Sequence, residues 1–90
     1  MNKAELVLRL SNKTNLSKVQ TELFLDAAIE IIQRAVSKGE EVKLVGFGTF
    51  SRQNRKSRTG RNPKTGQSLE IPGGRVPRFK PGKDFKDLVN

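Results

Sequence analysis

Residues Arg61–Gly66, with the sequence RNPKTG, combine side chains that could grip an anionic polymer. Arg and Lys neutralise phosphates and release the counterions that surround nucleic acid. Asn62 can donate to and accept from base edges, while Pro63 presents a rigid apolar ring without an N–H group. Asn-Pro also begins ordinary turns. These six residues by themselves are therefore compatible with a solvated turn as well as with a device that grips and bends nucleic acid.

The charge around this turn favours the second interpretation. Residues 51–80 contain nine Lys or Arg and one Glu, which gives +8 out of the chain's net charge of +9. A run of charge is usually only a solvated face, but no acidic run balances this one. Such a concentration of positive charge predicts an anionic partner.

The absent residue types argue against other kinds of chemistry. The chain has no His and no Cys, so it lacks the commonest general base, the thiol nucleophile and most ligands for transition metals. Its nine carboxylates are scattered, and the adjacent pair Glu40 and Glu41 would point to opposite faces of a strand. We therefore expect no catalytic residue, metal, cofactor or small-molecule substrate. No signal-peptide core or membrane-length apolar run is present, which predicts a soluble, cytoplasmic protein without a membrane partner.

The small size of the chain predicts a dimer. Ninety residues make one small domain, and apolar residues amount to 33%. The basic stretch is too polar to contribute much to an interior, so roughly 60 residues must build it, which is marginal for a monomer. Without Cys, no disulfide can compensate, and oligomerisation is the remaining source of stability.

The first half of the sequence predicts two helices. Asn2 can cap the first, with Glu5 three residues later, and Ser17 can cap the second, with Gln20 as its partner. Apolar residues recur at helical spacing through the second helix, which predicts a long amphipathic helix that ends at Gly39. Packing within the chain is the ordinary interpretation of this apolar face, but its width favours a partner subunit.

After Gly39 the period changes to two, which predicts a strand over 41–45, a turn at 46–48 and a strand from 49. Residues 51–61 and 67–78 suit a two-stranded ribbon closed by the Arg61–Gly66 turn, with a reach of about 30 Å. An isolated ribbon is marginal in water, so we expect an arm that is mobile when free and ordered when bound. Residues 83–89 predict a short final helix.

The sequence resembles the bacterial histone-like HU family, to which integration host factor is closely related. The residues that carry the resemblance lie between 46 and 65 and are Gly46, Phe47, Phe50, Arg55, Arg58, Gly60, Arg61, Asn62, Pro63, Lys64 and Thr65. The order of the predicted elements extends the resemblance over essentially all 90 residues.

The resemblance implies an α+β fold in which two copies form an intertwined dimer, with a helical base, a β-saddle and two protruding β-ribbon arms. Residues 1–90 would form a single domain. Within it, 1–50 would be the mainly helical dimerisation body with the first strands, 51–80 the basic arm and 81–90 the short C-terminal helix. The dimer core would include Leu44, Phe47, Phe50 and Phe79.

The resemblance also implies how DNA is held. In the HU and integration host factor group, apolar side chains inserted between base pairs kink the duplex, and Pro63 matches that wedge. The minor groove would be contacted by Arg55, Arg58, Arg61, Asn62 and Lys64. Phosphate contacts are expected from Lys3, Arg52, Lys56, Thr65, Arg75, Arg78, Lys80, Lys83 and Lys86. Gly73 and Gly74 depart from the alanines of many relatives, which predicts a more flexible base of the arm.

The predicted function is that of a histone-like protein that bends and compacts double-stranded DNA with little sequence specificity and stabilises the nucleoid. Bent, nicked or gapped duplexes should be preferred, because part of the unstacking cost of a few kcal/mol is already met there. A bacterial or a plastid nucleoid would suit the sequence equally.

Two other functions stay open at this point. One is site-specific bending of the integration host factor type, in which the dimer selects a sequence. The other is RNA binding, which is disfavoured because all five Phe suit structural positions and leave no stacking platform for bases.

Overall fold

A computed structural model describes all residues, 1–90, and contains three helices and five strands. In chain order these are α1 (Lys3–Thr14), α2 (Lys18–Ser37), β1 (Val42–Leu44), β2 (Gly48–Arg55), β3 (Arg58–Arg61), β4 (Ser68–Ile71), β5 (Gly74–Pro81) and α3 (Lys83–Val89). The expected α+β class is confirmed. The chain forms two compact units, residues 1–34 and 35–90, which are described in turn. None of the helices combines the length and the apolarity that a membrane span requires.

Side-chain caps begin both long helices, as predicted. Asn2 Oδ1 accepts a hydrogen bond of 3.0 Å from the backbone N–H of Glu5. Ser17 Oγ accepts one of 3.1 Å from the N–H of Gln20, whose side chain accepts in return from the N–H of Ser17 at 3.4 Å. These bonds satisfy donors that the first helical turn leaves without a partner. α1 ends at Thr14, and the next residue, Asn15, caps it with a left-handed φ of 59°.

The unit of residues 1–34 buries little apolar surface within one chain. Val7, Ser11 and Thr21 are its buried side chains, and the hydroxyls of Ser11 and Thr21 donate to backbone carbonyls. The apolar face of α2 is largely uncovered. Its most exposed large side chains are Val19, Leu23, Phe24 and Ile31, each with 63–70% of its surface accessible. Packing within one chain therefore covers only part of the apolar face that the sequence predicted for α2.

Three strands of the second unit form an antiparallel sheet in the order β1-β2-β5. Its pairing is regular. Three rows cross all three strands, namely Val42–Phe50–Phe79, Lys43–Thr49–Lys80 and Leu44–Gly48–Pro81. The prolines of β5 are tolerated because β5 is an edge strand, as the sequence predicted.

One face of this sheet is covered by aromatic side chains. The rings of Phe47, Phe50, Phe79 and Phe85 form a connected cluster with centroid distances of 4.8–6.4 Å. Gly48 lies beneath the cluster, and a Cβ at this position would come within 2.6 Å of the Phe79 ring. The absence of a side chain at Gly48 therefore lets the rings pack against the sheet.

The arm differs from the continuous ribbon that the sequence predicted. β2 and β5 pair as far as Arg55 and Gly74, the ladder then stops for two residues on each strand, and β3 and β4 resume pairing at Arg58 and Ile71. The two pairs are three positions apart on both strands, so the register is unchanged across the interruption. Pro72 lies within it and has no N–H to offer the ladder.

Candidate nucleic-acid interface

Strand alternation separates the sheet into an apolar and a cationic face. Side chains at successive positions of a strand point to opposite faces, and directly paired residues share a face. Since Phe50 and Phe79 lie on the aromatic face, their neighbours along β2 and β5 lie on the other. That face carries the predicted DNA contacts Arg55, Arg78 and Lys80. The strands of the sheet contain no Asp or Glu, so nothing within them opposes an anion there.

Two of the predicted phosphate contacts lie on the aromatic side instead. Arg52 pairs with Pro77, and Arg75 pairs with Asn54, in the same alternating set as Phe50. Arg52 is half-buried, and its Nη1 donates a hydrogen bond of 3.0 Å to the carbonyl oxygen of Ser37. A guanidinium at this place satisfies a carbonyl at the C-terminal end of α2 and complements the helix dipole. Arg52 therefore has a structural partner, which the sequence did not indicate.

The positive charge of the second unit is not neutralised internally. Residues 35–90 contain 13 Lys or Arg and five Asp or Glu, a net charge of +8. All four ion pairs of the structure join residues that lie before residue 35. The cations of the sheet, arm and α3 therefore remain available to an external anion.

The interruption in the arm brings two backbones very close together. A Cβ at Gly73 would collide with the carbonyl oxygen of Arg55 and would lie 2.8 Å from the backbone nitrogen of Ser57. Gly74, the next residue, has nothing within 4 Å of the same position. The two glycines therefore have different roles, and only Gly73 is required by close packing. Lys56, a predicted phosphate contact, lies in this interruption and is exposed.

Beyond the interruption, the two arginines of β3 lie on opposite faces of the ribbon. Arg58 pairs with Ile71, whereas Arg61 pairs with Ser68 three positions further along the strand. Glu70, the one carboxylate among residues 51–80, pairs with Thr59 and so lies on the Arg61 side. The ribbon thus presents a cation on each of its faces.

The tip is held by hydrogen bonds that involve Asn62. Its side-chain Oδ1 accepts from the backbone N–H of Lys64 at 2.9 Å, its N–H donates to Gln67 at 2.9 Å and its carbonyl accepts from Gly66 at 2.8 Å. Gly66 has a φ of 69°, which a residue with a side chain rarely adopts. These bonds leave Pro63 exposed at the end of the arm. They also occupy the Asn62 side-chain oxygen, so its amide N–H groups are the part free to meet a base edge.

The remaining predicted contacts lie outside the arm or on its turn. Lys83 and Lys86 are exposed on α3, and Thr65 Oγ1 accepts from the N–H of Gln67 at 3.4 Å. Lys3 Nζ lies 2.6 Å from Asp26 Oδ1. This hydrogen bond, reinforced by the charges of Asp26 and Glu22 against a partial desolvation, raises the pKa of Lys3 above its ordinary value of 10.5. Lys3 therefore already has an anionic partner within the chain.

Lys43 is a cation of the sheet that the sequence-based prediction of contacts left out. It lies in the row with Thr49 and Lys80 and is exposed. The signal was present in the sequence, because a strand over 41–45 places Lys43 on the face opposite the apolar side chains of Val42 and Leu44.

Comparisons with known proteins give matches that extend over essentially the whole chain. A family model described as bacterial DNA-binding protein matches residues 1–90. The chain is 52% identical to the DNA-binding protein HU of Clostridium pasteurianum over 90 residues, which cover 100% of this chain and 99% of that protein. It is 51% identical to HU of a Nostoc species over 89 residues, which cover 99% and 95%. HU in an Anabaena HU–DNA cocrystal structure matches with a TM-score of 0.90 and 50% identity, over 99% of this chain and 97% of that one.

Proposed function

Because the chain belongs to the HU family of bacterial DNA-binding proteins, we propose that it is a histone-like architectural protein, not an enzyme. It binds the minor groove of double-stranded DNA with little sequence specificity, and it bends and compacts the duplex. The observation that carries this proposal is the strand register, which puts Arg55, Arg78 and Lys80 on one carboxylate-free face of the sheet. DNA backbone supplies the regular array of anions that such a face attracts.

The arm is suited to a groove with phosphates on both sides. Arg58 and Arg61 point to opposite faces of the ribbon, so a ribbon that enters the minor groove presents one cation to each wall. A narrow minor groove concentrates negative potential and attracts arginine. This arrangement supports the assignment of both residues, with Arg55, Asn62 and Lys64, to the minor groove.

Pro63 is the wedge in this proposal. Its ring is exposed at the tip, and its position is fixed by the hydrogen bonds of Asn62. A preorganised apolar ring can enter a base step without the entropic cost of first ordering the tip, and insertion of such wedges kinks DNA in proteins of this group. Two arms would produce two kinks.

The exposed apolar surface of one chain supports a second copy of the chain as its partner. One chain has only Val7 and Val36 as buried hydrophobic residues, while Leu23, Phe24 and Ile31 of α2 are mostly exposed. Chains of this size already bury a small share of their surface. A homodimer would cover the α2 face, with Leu44, Phe47, Phe50 and Phe79 in or next to its core.

Two finer properties follow from the wedge and from the family. Bent, nicked or gapped duplexes should bind more tightly than intact ones, because their base steps are already partly unstacked. The relatives named above are HU proteins, which favours recognition by shape over the site-specific alternative of the integration host factor type. The corresponding location is the nucleoid in the cytoplasm.

The test is a binding titration on three duplexes of equal length, one intact, one with a central gap and one carrying a sequence selected from a random pool. Each is measured at two salt concentrations, and sedimentation of the free protein measures its oligomeric state. We expect a dimer, an affinity that falls steeply with salt, and preference for the gapped duplex. Equal affinity for intact and gapped DNA would contradict binding by shape. A preference above roughly 10³ for the selected sequence would support the site-specific alternative.

A further inference from the structure

The outer strand of the sheet carries a cation that is not among the DNA contacts proposed above. Lys43 is the middle residue of β1, and its neighbours Val42 and Leu44 occupy the rows of Phe50 and Gly48. Lys43 therefore lies on the face opposite the aromatic cluster. Across the sheet it is aligned with Thr49 of β2 and, through it, with Lys80 of β5.

The spacing of this row suits a nucleic-acid backbone. Neighbouring strands lie about 4.8 Å apart, so the backbones of Lys43 and Lys80 are separated by about 10 Å across the sheet. Each DNA strand carries one phosphate per roughly 3.4 Å of helix axis, so a stretch of duplex about 10 Å long presents several phosphates to such a row. Thr49 between them is a small side chain, so both lysine ammonium groups can reach the same surface.

Nothing in the structure engages the Lys43 ammonium. None of the four ion pairs includes it, and the residue is exposed. An alternative role for a lysine on an edge strand is to prevent that strand from pairing with another sheet. β1, however, is three residues long, and short edge strands are already poor templates for such pairing.

We propose that Lys43 is a phosphate-binding residue, so that the DNA-binding surface extends across all three strands of the sheet to its outer strand. The inference rests on the proposed DNA-binding function and assigns that function a residue outside the arm and α3.

The test is the dependence of duplex affinity on salt for the full chain and its variants. Lys43→Gln removes the charge in question. Lys13→Gln removes an equal charge from the exposed last turn of α1, outside the proposed contacts, and controls for net charge. Lys80→Gln removes a charge from the same row as Lys43. The slope of log affinity against log salt should fall by about 0.9 for each phosphate that is no longer neutralised, hence by about 1.8 in a dimer. We expect this fall for Lys43→Gln and Lys80→Gln, recovery in Lys43→Arg, and no change for Lys13→Gln.

Two results would overturn the inference alone. One is an unchanged slope in Lys43→Gln beside a reduced slope in Lys80→Gln, with Lys43→Gln shown by circular dichroism to be folded. This would leave Lys43 as a residue that only protects the sheet edge. The other is an equal fall in Lys13→Gln, because the slope would then measure net charge and not direct phosphate binding. A parent chain that binds duplex without salt dependence would instead refute the proposed function itself.

Discussion

Gly73 lies directly against the backbone of Arg55, at the place where the arm's hydrogen-bond ladder is interrupted. Any side chain at Gly73 would collide with the Arg55 carbonyl oxygen. The same register continues on both sides of the interruption, so the arm is one ribbon with an unpaired step. The close approach holds the two strands in register where the hydrogen bonds do not.

Gly73→Ala should separate the strands at this step. Insertion of a methyl group against backbone atoms typically costs about 1–3 kcal/mol, and a ribbon of marginal stability cannot absorb that cost. We expect faster hydrogen exchange at the amides of β3 and β4, weaker DNA binding and little change in the melting of the rest of the chain. Gly74→Ala is the matched control. A Cβ at Gly74 meets nothing within 4 Å, and alanine is favoured over glycine in a strand by about 0.5–1 kcal/mol. The protection of the β3 and β4 amides from hydrogen exchange should therefore be kept or increased in Gly74→Ala.

Pro63→Ala should reduce DNA bending more than it reduces affinity. The cations of the arm remain, so the phosphate contribution to binding persists, whereas the apolar wedge is removed. Energy transfer between dyes at the two ends of a duplex measures the bend at saturating protein. Pro77→Ala, which removes a proline from the edge strand β5, should leave the bend unchanged. Equal energy transfer with the parent protein and with Pro63→Ala would contradict the wedge.

Local signals in the sequence were sufficient for the ends of the helices. The Asn2 and Ser17 caps depend on residues three positions apart, and both occur as predicted. α3 begins at Lys83 and ends at Val89, the predicted bounds, because Pro81 and Gly82 end the strand before it. These features could be predicted since their physical causes lie within a few residues of one another.

The division of cations between the two faces could not be predicted in the same way. In residues 52–58, polar side chains occupy both alternating positions, so the sequence shows no apolar face from which to assign Arg52 or Arg55. The assignment depends on pairing with β5, whose partner residues lie 25 positions from Arg52 and 19 from Arg55. The interruption in the arm also depends on two distant segments, because Gly73 is constrained by the backbone of residues 55–57.

Arg52→Gln should destabilise the protein without changing its phosphate contacts. The variant loses the hydrogen bond to Ser37 and a cation at the C-terminal end of α2, which at a partly exposed site contribute about 0.5–1 kcal/mol. Arg55→Gln, three residues later and on the opposite face, should give the reverse pattern, with unchanged stability and a reduced salt dependence of DNA binding. Urea denaturation and salt titration of both variants measure the two effects. A reduced salt dependence of DNA binding in Arg52→Gln would show that Arg52 does bind a phosphate.

Asp26→Asn should remove a pH-dependent part of the stability and release Lys3. In the folded protein the hydrogen bond to Asp26 raises the pKa of Lys3 above 10.5. The ion pair therefore stabilises the fold fully below about pH 10.5, and this contribution disappears as the pH rises through the higher folded pKa. Thermal melts at neutral pH and at a pH above 10.5 should differ less for Asp26→Asn than for the parent chain. Glu22→Gln, whose carboxylate lies 3.9 Å from Lys3, should change this difference less.

The same variant tests whether Lys3 can bind DNA. In the free protein its ammonium is paired with Asp26, so a phosphate must compete with that carboxylate for the cation. Asp26→Asn removes the competitor and a negative charge. If Lys3 lies beside DNA, binding at neutral pH should tighten, and Lys3→Gln introduced into the Asp26→Asn background should lower the salt slope by about 0.9 for each phosphate that Lys3 neutralises. An identical slope with and without Lys3 would mean that Lys3 serves only the ion pair between α1 and α2.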